Sequence, residues 1–172
     1  MAKFSELVTY FEDIARNHVS IRHTELEKHF FRFEIDEMLS AQFRSDTNFI
    51  FLALEGYNFG FTDNNSDNLL KNRHGAFVIM DHISDLSDYA SMHDKWDELE
   101  IIGDDIIAKI KSDKRNPMYP VIRDFKFDSI TADLILNEIA GGIGIRYTFT
   151  LTSPTSNDVD PVKWLTTGSG SV

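Results

Sequence analysis

The sequence contains no cysteine. Disulfides, thiolate zinc sites and cysteine nucleophiles are excluded by that absence alone. No run of apolar residues approaches the ~20 needed to span a bilayer. The first ten residues place Lys3 and Glu6 among their apolar neighbours, unlike the continuous core of a secretion signal. A soluble protein made in a cytoplasm is the expectation. Basic residues are also scarce, 17 against 28 acidic ones, for a formal net charge of −11. No basic cluster is longer than Lys114-Arg115. Affinity for nucleic acid rests on cations that displace counterions from phosphates, so nucleic-acid binding is disfavoured as a main role. An acidic surface keeps a protein soluble and steers it toward basic partners. The common catalytic signatures are missing too. There is no G-x-S-x-G, no G-x-x-x-x-G-K-[ST], no H-E-x-x-H, and no G-x-G-x-x-G after a strand. Gly141-Gly142-Ile143-Gly144 is too short for the last of these and reads as the entry to a strand. No internal repeat or second domain is evident.

What remains is ample material for a core. Of 172 residues, 42% are hydrophobic and fourteen are phenylalanine. Phe4, Leu7, Val8, Phe11, Ile14 and Ala15 recur at helical spacing, which predicts an amphipathic helix over Phe4 to His18. Val19 to Arg44 is harder to read; His29 to Phe33 suits an extended segment, and Asp36 a short helix through Phe43. Asn48 to Leu54 and Ala76 to Met80 are short apolar runs that read as buried strands. The Asn- and Asp-rich stretch Asn58 to His74 between them reads as a surface loop. The clearest helix follows, capped by Ser84 or Ser87, with Asp85 and Asp88 at its positive end. Its seam is Tyr89, Met92, Trp96, Leu99, Gly103, Ile106 and Ile110. Glycine on that seam costs about 1 kcal/mol of helix propensity, which close packing against a sheet would offset. Val121 to Asp128 alternates as a half-buried strand. Ile143, Ile145, Tyr147, Phe149 and Leu151 alternate with Gly144, Arg146, Thr148, Thr150 and Thr152 as another.

These elements predict one α+β domain over residues 1–153. It has a mainly antiparallel four-stranded sheet, a long helix packed on one face and an additional N-terminal helix. Residues 154–172 are expected to form an extended C-terminal arm, anchored by Val162, Trp164 and Leu165.

Candidate chemistry is thin. Asp63, Asn65 and Asp67 occupy alternate positions like the first ligands of a calcium loop, but Asn68 and His74 stand where glycine and glutamate belong. His18, His23 and His29, with Glu25 and Glu27, lack the spacing that puts two imidazoles on one helical face. His82 and His93 are isolated. Glu34, Asp36 and Glu37, then Asp81, Asp104-Asp105 and Asp124 near Lys126, offer carboxylates for a magnesium-dependent nuclease without a shared motif. No catalytic residue, metal or cofactor is assigned, and an enzyme is not expected. The aromatics Phe30, Phe31, Phe33 and Phe43 either finish the core or form a subunit contact. One helix on four strands cannot hide fourteen phenylalanines, so surplus apolar area favours an oligomer.

Four stretches carry a resemblance: S-D-N-L-L-K-N-R-H-G-A-F-V-I-M over Ser66 to Met80, E-I-I-G-D-D-I-I-A-K-I over Glu100 to Ile110, G-I-G-I-R-Y-T-F-T-L over Gly142 to Leu151, and D-P-V-K-W ending at Trp164. With the order of elements, they resemble phage tail-completion proteins, the terminator and neck proteins of Bacteroidetes-type phages and related contractile-tail clusters. The resemblance implies a virion protein made in a bacterial host, forming a homo-oligomeric and commonly sixfold ring, with other tail, neck or portal proteins as neighbours. Val19 to Arg44 departs from that pattern in its length and aromatic content. Two alternatives remain: a small metal-dependent nuclease using Asp81, Asp104 or Asp124, and a monomeric acidic module that masks a basic target.

Overall fold

A computed structural model of the chain describes residues 3–32, 50–63, 68–83, 85, 87–137, 142–156 and 159–164. In chain order they form α1 (Phe4–Asn17), β1 (Phe30–Arg32), β2 (Phe51–Leu54), β3 (Asn58–Asp63), β4 (Asn68–His82), α2 (Tyr89–Asp113), β5 (Phe125–Asn137) and β6 (Gly142–Ser156). Single 3₁₀ turns cover Pro120–Ile122 and Pro161–Lys163.

The α+β class is as expected, but the sheet is larger than four strands and is mixed. It has six strands in the order β1-β2-β4-β6-β5, with β3 also on β4. β1 runs parallel to β2 and all other pairs are antiparallel. The centre is a ribbon of β4 and β6, paired from Asn68 opposite Ser156 to His82 opposite Gly142. Along β4's other edge, β2 pairs with Phe77 to Met80 and β3 with Leu69 to His74. Within Asn58 to His74, the described residues 58–63 and 68–74 are thus paired antiparallel strands and not a surface loop. The polar residues there lie in strands whose cross-strand partners supply the pairing, a context that turn propensity alone misreads.

Other boundaries move for equally local reasons. Val121 and Ile122 lie in a 3₁₀ turn opened by Pro120, and β5 begins at Phe125 and continues to Asn137. A register shift between Lys126 and Thr131 interrupts its pairing with β6. β4 and β6 by contrast stay in register through Gly142 and Gly144, which open β6. β6 runs to Ser156, so residues 154–156 pair with β4 and the arm starts beyond them. Phe33 to Phe49 lie outside the described residues, and with them the short helix expected there.

Both helices lie on one face of the sheet. α1 buries Leu7, Val8, Tyr10, Phe11, Ile14 and Ala15, while Phe4 stays partly exposed with its ring edge-on to Tyr57. α2 is capped by Asp88, whose carboxylate accepts the Ser91 N–H at 3.2 Å and its hydroxyl at 2.6 Å. Ser87 instead donates to Asp85, and Ser84 lies outside the described residues. Those donors hold both carboxyls below their ordinary pKa. The seam buries Met92, Leu99, Gly103, Ile106 and Ile110, joined by Ile102; Trp96 is only partly covered and Tyr89 is exposed. Beneath the helices, Phe77 stacks on Tyr147 (4.9 Å, 10°) and Phe125 on Phe149 (4.9 Å, 22°), with Phe11 stacked on Phe149. A smaller cluster of Phe51, Ala53, Val78 and Met80 occupies the opposite face.

Gly103 is where α2 meets the sheet. A Cβ built there would stand 2.0 Å from the Tyr147 hydroxyl oxygen, a distance no packed pair tolerates. Gly103→Leu is therefore expected to destabilise the domain by several kcal/mol, and Gly103→Ala by about 1–3 kcal/mol despite alanine's better helix propensity. Urea titration checks this; unchanged midpoints would remove Gly103 from the contact. Burial, and then the charges of Asp104 and Glu100, push the Tyr147 phenol up to about 12. The unfolded phenol ionises near 10. A raised folded pKa leaves its contribution intact below pH 10 and removes it as pH climbs toward 12. The stability of wild type relative to Tyr147→Phe should accordingly fall by about 2–3 kcal/mol between pH 9 and 12.

Candidate functional site

The structure distributes the expected contact residues unevenly. Phe30 is buried on the helix side of β1, its ring edge-on to His23. It serves the core and is not available as a contact surface. Phe31 points the other way, half-buried and edge-on to Phe51 at 5.4 Å. That split follows from the alternation of side chains along a strand. Phe33 and Leu165 lie outside the described residues. Val162 and Trp164 are 91% and 68% exposed, so this part of the arm is not folded onto its own domain.

Sequence reasoning missed a larger apolar feature. Phe59 and Phe61 on β3 are each 55% exposed. Their rings meet edge to face at 6.1 Å, and the Lys71 ammonium sits 3.7 Å from the Phe59 centroid and 5.5 Å from that of Phe61. Such a cation over exposed rings contributes about 0.5–1 kcal/mol and holds the aromatic pair in place. Every residue of β3 is exposed. The F-G-F spacing was the available signal, since it puts both rings on one face of an extended strand; the surrounding Asn and Asp residues concealed it.

The carboxylates named for a nuclease are not brought together. Asp81 is buried at the end of β4, where it accepts from the Lys95 ammonium at 2.5 Å and the His82 N–H at 2.7 Å. Asp104 is exposed on α2, about 13 Å further along the helix axis than Lys95. Asp124 lies near the far end of β6, its carbonyl accepting the Thr152 N–H, about 30 Å along the strand from Ile143, which faces Asp81. Asp63 ends β3, while Asn65 and Asp67 lie outside the described residues, as do Glu34, Asp36 and Glu37. The histidines disperse too. His23 is buried, its Nδ1 accepting the His29 N–H at 3.0 Å and its Nε2 3.7 Å from Glu12; desolvation lowers its pKa. His18 instead faces Asp105, and Glu25 is paired with Arg16. Among the described residues no three His, Asp or Glu side chains form a group that would hold a metal ion. No helix among them is long and apolar enough to cross a membrane.

The polar groups that do converge are structural in kind. Where the chain leaves β2 for β3, Glu55 is buried and accepts two bonds from the Arg146 guanidinium, at 2.9 and 2.7 Å. This pair floors an open cleft of about 450 Å³, whose rim includes Tyr57, His74, Thr148 and Thr150. Between the two helices, the Tyr10 hydroxyl donates to Asp113 at 3.0 Å, and Lys109 donates to the same carboxylate. Burial and then the Asp113 charge push the Tyr10 phenol far above its ordinary value. Arg73 is 2% exposed, with one bond from Nη1 to the Ser153 hydroxyl and a buried Nε that has no partner. Comparison of the sequence with protein-family models and with curated proteins finds no match.

Two substitutions separate these buried charges. Glu55→Ala removes the two bonds that Arg146 donates to it. Because Arg146 is about one-third exposed, solvent screening should hold the loss to about 2 kcal/mol. Arg73→Met removes a costly buried cation while keeping its apolar stem, so stability should stay level or rise by about 1–3 kcal/mol. Thermal unfolding of the two variants side by side checks the contrast.

Proposed function

We propose that this chain is a structural protein of a phage or phage-like virion. It forms a ring at the tail terminus or neck, as terminator, completion or head–tail connector protein, and acts by self-assembly. The observation that carries this reading is the outer half of the β4–β6 ribbon with β3 on its edge. There Phe59 and Phe61 face solvent on a rigid, hydrogen-bonded hairpin. Exposed aromatic pairs of this kind are typical of the desolvated centres of protein contacts. A second apolar element, Val162 and Trp164 beyond the end of β6, is unlike the hairpin in sequence and placement. Two unlike patches suit a heterologous contact, and head-to-tail contacts close into rings when the rotation allows. The four resembling stretches support the same assignment. Three of them include parts of β4, α2 and β6, the elements that build the framework. Neighbours in the assembly are further copies of the chain and other tail, neck or portal proteins.

Light scattering of the purified protein, with electron micrographs, tests this directly: a closed multimer, six subunits for the commonest ring, is expected. Phe59→Asp with Phe61→Asp, or deletion from Pro161 onward, should reduce the particle to monomers or small oligomers while leaving the far-ultraviolet dichroism unchanged. A monomer at high micromolar concentration that binds a basic protein tightly would replace this reading with the acidic-module alternative. DNA cleavage that depends on divalent ions would replace it with the nuclease.

A further inference from the structure

β5 is the outermost strand on its side of the sheet, and among the described residues no strand pairs with its outer edge. Past the register shift, Thr131 to Asn137 pairs regularly with β6 on the inner edge, from Thr131 opposite Thr148 to Asn137 opposite Gly142. Its outer edge therefore presents a straight, seven-residue row of backbone donors and acceptors. Edge strands of natural proteins are normally blunted by lysine, proline, a bulge or brevity. This segment, T-A-D-L-I-L-N, has no lysine and no proline, and the irregularity lies before it. Its exposed apolar side chains are Leu134, 62% exposed, and Leu136, 40% exposed. Leu134 faces Ile145 and Leu136 faces Ile143 across the strand pair, so both leucines lie on the helix side of the sheet. The helix nearest that flank stops short of them: the Trp96 indole N–H donates to the Gly144 carbonyl at 3.2 Å, over β6 and not β5.

The geometry points to β5 as a docking edge for β5 of a second copy, paired antiparallel about a two-fold axis at Leu134. Leu134 is the middle residue of the regular segment, so this register uses all of it: Thr131 opposite Asn137, Ala132 opposite Leu136, Asp133 opposite Ile135, and Leu134 opposite its own counterpart. Residues directly opposite in an antiparallel pair project from the same face. The leucines and Ala132 of both copies therefore make one apolar strip, and no carboxylate lies directly opposite another. Asp133 also has Arg146 beside it on β6. The segment's own pattern is thus complementary to itself, which is the requirement of an isologous contact. Bodies of net charge −11 repel, so this association tightens as salt screens them. The inference does not rest on the virion reading.

The cysteine-free sequence allows a direct test. In the full chain, Leu134→Cys places two thiols at directly opposed positions, within the ~4.4–6.8 Å Cα separation a disulfide accepts. Ala132→Cys, whose counterpart would lie about 13 Å away along the strand, does not. Mild oxidation should give a covalent dimer with Leu134→Cys and monomer with Ala132→Cys. Leu134→Lys should weaken association at least tenfold by sedimentation without altering the far-ultraviolet dichroism, and raising NaCl from about 50 to 500 mM should strengthen wild-type pairing. Equal cross-linking at both positions, or no cross-link at Leu134→Cys, overturns the proposal. So does a multimer that Leu134→Lys leaves intact, which would remove the edge while leaving the ring reading in place.

Discussion

β4 and β6 run antiparallel for fifteen residues each, and every other element takes its position from that ribbon. The inner half, Gly75 to His82 against Gly142 to Phe149, lies under the two helices. Phe77, Ile79, Ile145, Tyr147 and Phe149 fill the space between. A fifteen-residue strand spans about 50 Å, longer than the α2 helix at about 38 Å. One end of such a ribbon must outrun its cover. The outer half runs on toward Asn68 and Ser156, and β3 widens it there. Phe59 and Phe61 are exposed on that edge strand, whereas Arg73, Leu151 and Ser153 on the ribbon beside it are buried.

The seat of α2 depends on one small residue. With Gly103 over the Tyr147 hydroxyl, the helix backbone approaches the sheet closely enough for Leu99, Ile106 and Ile110 to reach full burial. Tyr147 is in turn held by its stack on Phe77, so the contact passes from helix to ribbon through rigid rings. The same closeness leaves the helix near β4 and α1, where Lys95 meets Asp81 and the Tyr10 hydroxyl donates to Asp113, a carboxylate that Lys109 of the same helix also contacts. Two buried carboxylates of a strongly acidic chain thus have cations beside them. Buried ion pairs of this type fix position more than they add stability. Here the Lys95–Asp81 pair ties one part of the helix to β4, and the hydrogen bond from Tyr10 to Asp113 ties its end to α1.

Periodicity made the regular, half-buried elements legible. The seam from Met92 to Ile110 and the alternation from Ile143 to Leu151 are each visible because one side of the element faces a core for its whole length. α1 was legible for the same reason, although Tyr10 was missed because its hydroxyl reads as polar until Asp113 is found beside it. The hairpin from Asn58 to His74 was not legible. Its strands face solvent on most sides, so sequence records no burial pattern, and the Asn and Asp residues that look like turn chemistry are cross-strand partners, as Asn72 is for Thr62 and Thr152. The continuation of β5 past Asp128 was hidden by the register shift, which breaks the two-residue period. Of the expected contact residues, Phe30 was misplaced because adjacent aromatics in a strand point to opposite faces. Val162 and Trp164, expected to anchor the tail, are exposed beyond the end of β6.

The apolar surface that remains is not spread evenly. Phe59 and Phe61 lie on the strand that flanks β4, Leu134 and Leu136 on the strand that flanks β6, and Val162 and Trp164 beyond the end of the ribbon. β3 and β5 are on opposite edges, so occupying one leaves the other open. This separation matters for the symmetry of any assembly. A hairpin meeting an arm joins unlike surfaces and propagates around a ring, whereas a strand meeting its own copy joins like surfaces and ends with the pair. A chain that uses both contacts builds two rings joined face to face, with twice the subunits of either. A chain that uses only the unlike surfaces builds a single ring whose β5 edges stay open to strands from another protein. In the proposed ring, the number of subunits would therefore depend on what pairs with Thr131 to Asn137, a segment with no lysine and no proline whose single charge is Asp133.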